Sequence, residues 1–337
     1  MNSQRPIAIL GAGAWGTALA IHLARQDRAV HLWGHDPHVM HKLELERCNQ
    51  RYLPEIKFPS SLKVYDSLEQ ALRGVQDIML VVPSHAVRAV LKQIVACAPS
   101  TLRVAWATKG LDVQENSGKF IHDIIMQEMG ANTLTAVLSG PSFAKEVAAG
   151  LPTAVVIASQ SDKFANDLVN RFHSTKFRVY KSADLLGVQI CGAVKNIIAV
   201  AAGIADGLAL GANARCALIT RGLAEMSRLG RILGAKPETF MGLAGVGDLL
   251  LTCTSDLSRN RRFGLALGRD KTIATAKETV GGLVESVHNT KLVYQLAIQQ
   301  DIEMPITEQV FKILEENRSS LEAFNALVNR GPAIEIR

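Results

Sequence analysis

Several resources that proteins use to gain stability or partners are scarce in this chain. Its five cysteines, Cys48, Cys97, Cys191, Cys216 and Cys253, are odd in number and form no CxxC pair. That excludes a disulfide framework and a zinc knuckle, and it reads as reduced thiols in a cytosol. Aromatic residues make up only 5% of the chain and no Lys/Arg run is interleaved with them. Base-stacking platforms are therefore absent, and no nucleic-acid partner is expected. There is no repeat, no low-complexity tract and no Pro/Gly/Ser-rich linker, which points to a continuous inter-domain cleft rather than tethered modules. The opening residues Met1-Asn2-Ser3-Gln4-Arg5-Pro6 run straight into an apolar strand and lack the apolar segment and cleavage site of a secretory signal. The longest weakly charged stretch, residues 185–205, carries Lys195 at its midpoint. A bilayer centre tolerates that charge poorly, so a buried helix is expected there and no membrane span.

What is present is enough apolar residue for a large core: 48% of 337 residues are hydrophobic and 20% are charged. Single cores stop growing near roughly 250 to 300 residues, so two domains are expected. The net charge of +6 is modest and suits a small phosphorylated partner better than a polymer. The first half alternates short β-branched runs (7–10, 29–33, 62–65, 77–82, 102–107, 135–138, 153–158 and 177–180) with helical patterns (15–25, 37–47, 86–96, 117–129 and 162–171). This is the βαβ signature of a parallel sheet covered on both faces. After about residue 183 strand signals stop, and apolar-periodic segments follow at 185–205, 214–233, 259–267, 285–299 and 307–316. The expectation is an α/β protein: a doubly wound, mostly parallel, Rossmann-like sheet over residues 1–183 and an all-helical domain over 184–337.

Gly11-Ala12-Gly13-Ala14-Trp15-Gly16 places GxGxxG directly after the first strand and at the head of an Ala-rich helix. In that context Gly11 serves the tight turn, Gly13 lets the backbone approach a pyrophosphate, and Gly16 lets the helix pack on the sheet, with the helix N-terminus facing the phosphates. A dinucleotide is the implied ligand; a merely tight βα turn is the plain alternative. The tip of the second strand is Gly34, where an NAD-preferring site usually has an acid. Asp36 could reach the ribose and His35 could tolerate a 2′-phosphate, so NADP(H) is favoured over NAD. His31, His35, His38 and His41 cluster here without a Cys or carboxylate cage, so they read as solvent-facing rather than metal-binding.

Ligands of open α/β sheets sit beyond the carboxyl ends of the strands. Val82-Pro83-Ser84-His85, Thr108-Lys109-Gly110 and Ser139-Gly140-Pro141-Ser142 each follow an expected strand. Lys109 reads as projecting beside the cofactor or as a surface lysine. Gly140-Pro141-Ser142 reads as ligand-facing amides and hydroxyl or as helix capping by Ser142. Lys195 lies in Ile190-Cys191-Gly192-Ala193-Val194-Lys195-Asn196-Ile197-Ile198, apolar on nearly every face. An ammonium there must find partners or shift its pKa down, which makes it a candidate proton carrier unless it snorkels or pairs structurally. Asp248, in Gly245-Val246-Gly247-Asp248-Leu249, is a candidate partner or an N-cap. Ser258-Arg259-Asn260-Arg261-Arg262 opens a helix with three arginines at its positive end. A bound phosphate would relieve that; a solvated basic face or a nucleic-acid patch is the alternative.

In combination these motifs resemble the bacterial NAD(P)-dependent glycerol-3-phosphate dehydrogenases, in the family's order and over nearly the whole chain. The resemblance implies reduction of dihydroxyacetone phosphate to sn-glycerol 3-phosphate. Lys195 would be the proton donor and acceptor, with Lys109 and Asp248 beside it in catalysis. Lys109, Gly140, Ser142, Lys195, Asp248, Ser258, Arg259 and Asn260 would surround the substrate. Gly11, Gly13, Ala14, Trp15, Gly16, His35, Lys109, Ala144, Arg259 and Glu285 would contact NADP or NAD. A cytoplasmic homodimer feeding glycerophospholipid synthesis is also implied. Ser286 departs from the family pattern, which more often has Gly after Glu285. A β-hydroxy-acid dehydrogenase and a non-enzymatic dinucleotide sensor are the rival readings; the first would want a carboxylate clamp, the second would have no use for Lys195.

Overall fold

In the computed structural model, residues 5–98, 101–112, 118–282 and 284–331 are described. The chain divides into two compact units, residues 1–189 with 242–244, and residues 190–241 with 245–337.

The first unit is built on an eight-stranded sheet. Its strands are β1 (Ile7–Leu10), β2 (Val30–Trp33), β5 (Leu62–Tyr65), β6 (Asp77–Leu80), β7 (Arg103–Trp106), β8 (Thr135–Ser139), β9 (Thr153–Ala158) and β10 (Phe177–Ser182). They lie in the order β10-β9-β8-β7-β6-β1-β2-β5. All pairings are parallel except β8 with β9. Each expected strand is found, with ends that match or move by at most two residues. The central strands β1, β6 and β7 are buried at every position, which is why they read as apolar runs rather than alternating patterns. A short hairpin of β3 (Cys48–Asn49) and β4 (Leu53–Lys57) was not anticipated: strands of two and five residues following a helix carry too little periodicity to read.

Helices α1 (Ala14–Ala24), α2 (Pro37–Glu46), α3 (Leu68–Leu72), α4 (Val87–Cys97), α5 (Ile121–Met129), α6 (Ala144–Ala149) and α7 (Asp162–Phe172) complete the unit. The helix expected over 117–129 is found from Ile121; its expected start, Ser117, lies outside the described residues, as do residues 1–4 of the amino-terminal reading. Chain order puts the topological switch at β1, flanked by β2 on one side and β6 on the other. Crevices outside the carboxyl ends of such strands are where ligands bind. At the amino ends of the central strands Asp77 is buried and held by Arg103 Nε at 2.6 Å and Arg171 Nη2 at 3.3 Å, a structural ion network away from the glycine loop.

The chain leaves the first unit within α8 (Leu185–Gly207). There follow α9 (Gly211–Ile232), α10 (Pro237–Phe240), α11 (Asp248–Thr254), α12 (Arg259–Gly268), α13 (Ile273–Val280), α14 (Glu285–Gln299), α15 (Pro305–Glu315) and α16 (Ser320–Val328). Among the described residues the second unit contains helices and no strand. Helix α8 is long and apolar enough to cross a bilayer, but it is almost wholly buried inside the fold.

Candidate active site

The glycine loop forms as its spacing demands. Gly11 has φ +125°, and a Cβ there would stand 2.6 Å from the Val81 carbonyl oxygen. A Cβ on Gly16 would stand 1.9 Å from the Gly11 carbonyl oxygen, so only glycine lets α1 start this close to the turn. Gly13 differs, because a Cβ there would meet nothing within 4 Å. It is the N-cap of α1, followed by Ala14, Trp15 and Gly16 in the first turn, whose amides point out of the helix. Open space in front of a bare backbone and a helix N-terminus fits a dinucleotide pyrophosphate. The loop is braced from behind by a residue that sequence reasoning missed. Buried Asn49, from the unanticipated hairpin, donates from Nδ2 to the Ala12 carbonyl at 3.1 Å and to Thr17 Oγ1 at 2.9 Å.

At the tip of β2, Gly34 is buried, and a Cβ would collide with Met40 Sδ at 2.6 Å and approach Ala12 Cβ at 3.2 Å. A side chain here would have to displace the flexible end of Met40 and crowd the Ala12 methyl. Asp36 has a local role beside the ribose contact expected of it, served by Oδ1 alone. Its carboxylate is the N-cap of α2, accepting from the amides of His38 at 3.0 Å and Val39 at 3.2 Å. His35 remains exposed beside it. His31 is not solvent-facing as expected: it is half-buried in β2, with Nδ1 2.7 Å from the Ala71 carbonyl, and burial lowers its pKa. His38 and His41 are exposed, and no metal-holding cluster exists among the described residues.

The other strand ends carry the remaining residues of the first unit. Thr108 Oγ1 donates to the Val82 carbonyl at 2.7 Å, tying the ends of β6 and β7 together just before half-buried Lys109. Gly140, after β8, has φ +135° and lies against β9, where a Cβ would be 3.0 Å from Val155 Cα. Ser142 does not cap a helix, contrary to the alternative weighed above. Its Oγ donates to the Gly140 carbonyl at 2.9 Å, and α6 starts at Ala144 after Phe143.

In the second unit Lys195 and Asp248 meet as their motifs suggested. Lys195 is 5% exposed and Asp248 1% exposed, so neither snorkels. Lys195 Nζ donates to Asp248 Oδ1 at 2.5 Å and to Thr252 Oγ1 at 3.0 Å. Thr252 in turn donates to the Asp248 carbonyl at 2.5 Å. Asp248 is the first residue of α11 and Gly247 its N-cap, so the carboxylate is not spent on capping. Thr252 was not singled out from sequence; its place one helical turn after Asp248 was the available signal. Cys253, next to this group, has its thiol pushed up to about 12, chiefly by burial, which makes it inert.

Ser258 is the N-cap of α12, its Oγ accepting from the Arg261 amide at 3.2 Å. Arg259 is exposed on the first turn, and its Nη1 lies 3.1 Å from where a Gly282 Cβ would stand, beside the segment that leads into Glu285. Asn260 follows, with its side-chain oxygen buried and unpartnered. Arg261 turns inward to Asp206 and Asp256, so the crowding of three arginines is relieved in part by carboxylates of the fold. Ser286, on α14, is fully buried with Oγ unpartnered, so the departure from glycine is absorbed inside the helix packing.

The comparisons with known proteins converge on this layout. The family described as NAD-dependent glycerol-3-phosphate dehydrogenase matches in both its parts, the N-terminus over residues 6–165 and the C-terminus over residues 184–325. The chain belongs to this family. A glycerol-3-phosphate dehydrogenase [NAD(P)+] of Haemophilus ducreyi is 52% identical over 330 residues, covering 98% of each chain. One from Pseudoalteromonas translucida is 52% identical over 325 residues, covering 96% of each. The crystal structure of a glycerol-3-phosphate dehydrogenase from Coxiella burnetii superposes with a TM-score of 0.94 at 49% identity, over 97% of this chain and 99% of that one. The expected fold class and membership of an NAD(P)-dependent oxidoreductase family are thus borne out.

Proposed function

We propose that the protein catalyses the reversible reduction of dihydroxyacetone phosphate to sn-glycerol 3-phosphate, with NADP(H) preferred over NAD(H). When bound, the dinucleotide supplies the hydride. The glycine loop fits that cofactor: Gly13 leaves room for the pyrophosphate, and the first-turn amides of Ala14, Trp15 and Gly16 face it. The preference for NADP(H) is supported by Gly34 at the tip of β2, which offers no acid to a ribose 2′-hydroxyl, by the use of Asp36 Oδ1 in capping, and by His35 exposed nearby. Lys109, Ala144, Arg259 and Glu285 complete the proposed cofactor contacts.

The observation that carries the reading is the buried Lys195–Asp248–Thr252 group. A proton carrier must be held at one place and protected from bulk water. Lys195 is fixed by two hydrogen bonds and almost fully desolvated. In the reductive direction Lys195 gives a proton to the oxygen on C2 of the substrate; in the oxidative direction it takes the hydroxyl proton back. General acid–base catalysis of this kind contributes roughly 10²- to 10⁴-fold. Asp248 balances the ammonium and Thr252 orients it. The phosphate is held by Arg259, Asn260, Ser258 and the amides heading α12, with Gly140 and Ser142 also contributing to the substrate site. A cytoplasmic homodimer supplying glycerophospholipid synthesis completes the proposal; the five free thiols fit a reducing compartment.

The test is loss of NADPH absorbance on adding dihydroxyacetone phosphate, beside a 3-keto acid. Turnover with the triose phosphate alone is expected. Turnover with the keto acid alone would replace this reading with a β-hydroxy-acid dehydrogenase, and turnover with neither would favour a dinucleotide sensor.

A further inference from the structure

We propose that Asp206 is a positioning residue for the substrate phosphate, acting through Arg261 to set the first turn of α12 relative to Lys195. The proposal rests on the assignment of that turn to the phosphate. Arg261 Nε and Nη2 donate to Asp206 Oδ2 at 3.1 and 2.6 Å, and Nη1 donates to Asp256. The other Asp206 oxygen, Oδ1, accepts from Arg215 Nη1 at 2.8 Å. Neither partner suits its own helix. Asp206 sits in the last turn of α8, at the negative end of that dipole, and Arg261 in the first turn of α12, at a positive end. Each offsets the unfavourable charge of the other, with Arg215 and Asp256 as outer partners.

The backbone reinforces the lock. Glycines four residues apart face each other across α8 and α12. A Cβ on Gly203 would stand 2.1 Å from the Arg261 carbonyl oxygen, and one on Gly207 2.6 Å from that of Leu265. A Cβ on Gly264 would stand 2.0 Å from the Val200 carbonyl oxygen, and one on Gly268 2.4 Å from that of Ile204. The helices are in backbone contact, so a shift of α12 is a shift of Arg259 and Asn260. Lys195 and Asp206 are eleven residues apart on α8, about three turns, so they lie on the same side of that helix. One rigid helix therefore carries the proton carrier near its middle and the anchor of the phosphate turn at its end. By engaging Arg261, Asp206 also keeps that guanidinium out of the phosphate-binding set.

The experiment is steady-state kinetics of the Asp206→Asn variant with saturating NADPH and two ketones, dihydroxyacetone phosphate and unphosphorylated dihydroxyacetone. The expected result is a KM for the phosphorylated ketone raised about tenfold or more, with kcat/KM for dihydroxyacetone held within about twofold. Equal losses on both ketones, or an unchanged or lowered KM for the phosphorylated one, would overturn the proposal. Leaving one member of an ion pair uncompensated can unfold a protein. The double variant Asp206→Asn/Arg261→Gln avoids that by leaving an amide pair, and it is expected to show the same loss of phosphate preference; a wild-type preference would count against the proposal. Arg259→Ala separates the two levels. If that variant keeps the phosphate preference, the phosphate assignment itself fails. If it loses the preference while Asp206→Asn keeps it, only the positioning role fails.

Discussion

The two units prepare their parts of the chemistry by opposite means. In the first, binding capacity comes from atoms that are missing: Gly11 and Gly16 let strand, turn and helix approach until no Cβ fits, and Gly13 leaves a space that nothing fills. In the second it comes from charges placed where charges are unfavourable and then matched, Lys195 with Asp248 and Arg261 with Asp206. The difference teaches which substitutions each unit tolerates. A methyl group is the dangerous addition in the glycine loop, whereas in the helical unit a single neutralised partner is, because it strands a buried ion.

The largest expected effect sharpens the first half of that comparison. Gly16→Ala puts a methyl 1.9 Å from a carbonyl oxygen, so either α1 or the loop must move. We expect no measurable NADPH binding by fluorescence titration and a clearly lowered Tm. Next comes Asp248→Asn, which leaves the Lys195 ammonium without its counter-charge. Initial rates should fall roughly 100-fold and stability by about 3 kcal/mol or more, with NADPH affinity preserved. Wild-type rates in that variant would break the claim that the second unit works by matched charge. Gly13→Ala is the control for Gly16→Ala: the same methyl enters open space, so Tm should hold while NADPH affinity drops about tenfold as the methyl obstructs the pyrophosphate. Equal Tm losses in the two glycine variants would erase the distinction drawn between them.

The smallest expected effect on activity concerns a buried carboxyl outside the site. Glu225 on α9 caps α15, accepting from the amides of Ile306 at 2.5 Å and Thr307 at 3.1 Å and from Thr307 Oγ1 at 3.0 Å. Burial outweighs these hydrogen bonds and pushes its pKa from 4.5 up to about 7. The native state thus holds a proton that the unfolded state releases, so stability is greatest below pH 4.5 on this account and declines as pH rises through 7. The full contribution is about 3 kcal/mol. Glu225→Gln should flatten the dependence of Tm on pH between 5 and 8; an unchanged slope would assign it to other groups.

How far the sequence could be read follows the same division. The sheet was legible because central parallel strands are buried on both faces, so Ile7–Leu10 stands out as an unbroken apolar run. The glycine loop was legible because its three glycines act over six residues. The pairing of Lys195 with Asp248 was legible as a physical necessity, since an ammonium in an apolar helix needs a partner. What escaped were residues whose meaning depends on contacts far along the chain. Asn49 braces a loop 37 residues away from a hairpin too short to show a period. Asp206 ends an apolar helix with no local sign that Arg261, 55 residues on, will meet it. Asp36 and Ser142 each allow two readings for a related reason: a short polar side chain beside a turn can face a ligand or its own backbone, and here each makes a bond to the backbone.

The central claim is that Lys195 carries the proton, and the most direct measurement is the turnover of Lys195→Ala with NADPH and dihydroxyacetone phosphate, set beside its NADPH affinity. Turnover reduced roughly 10²- to 10⁴-fold with cofactor binding intact is the predicted result. Wild-type turnover in the absence of that ammonium would contradict the account.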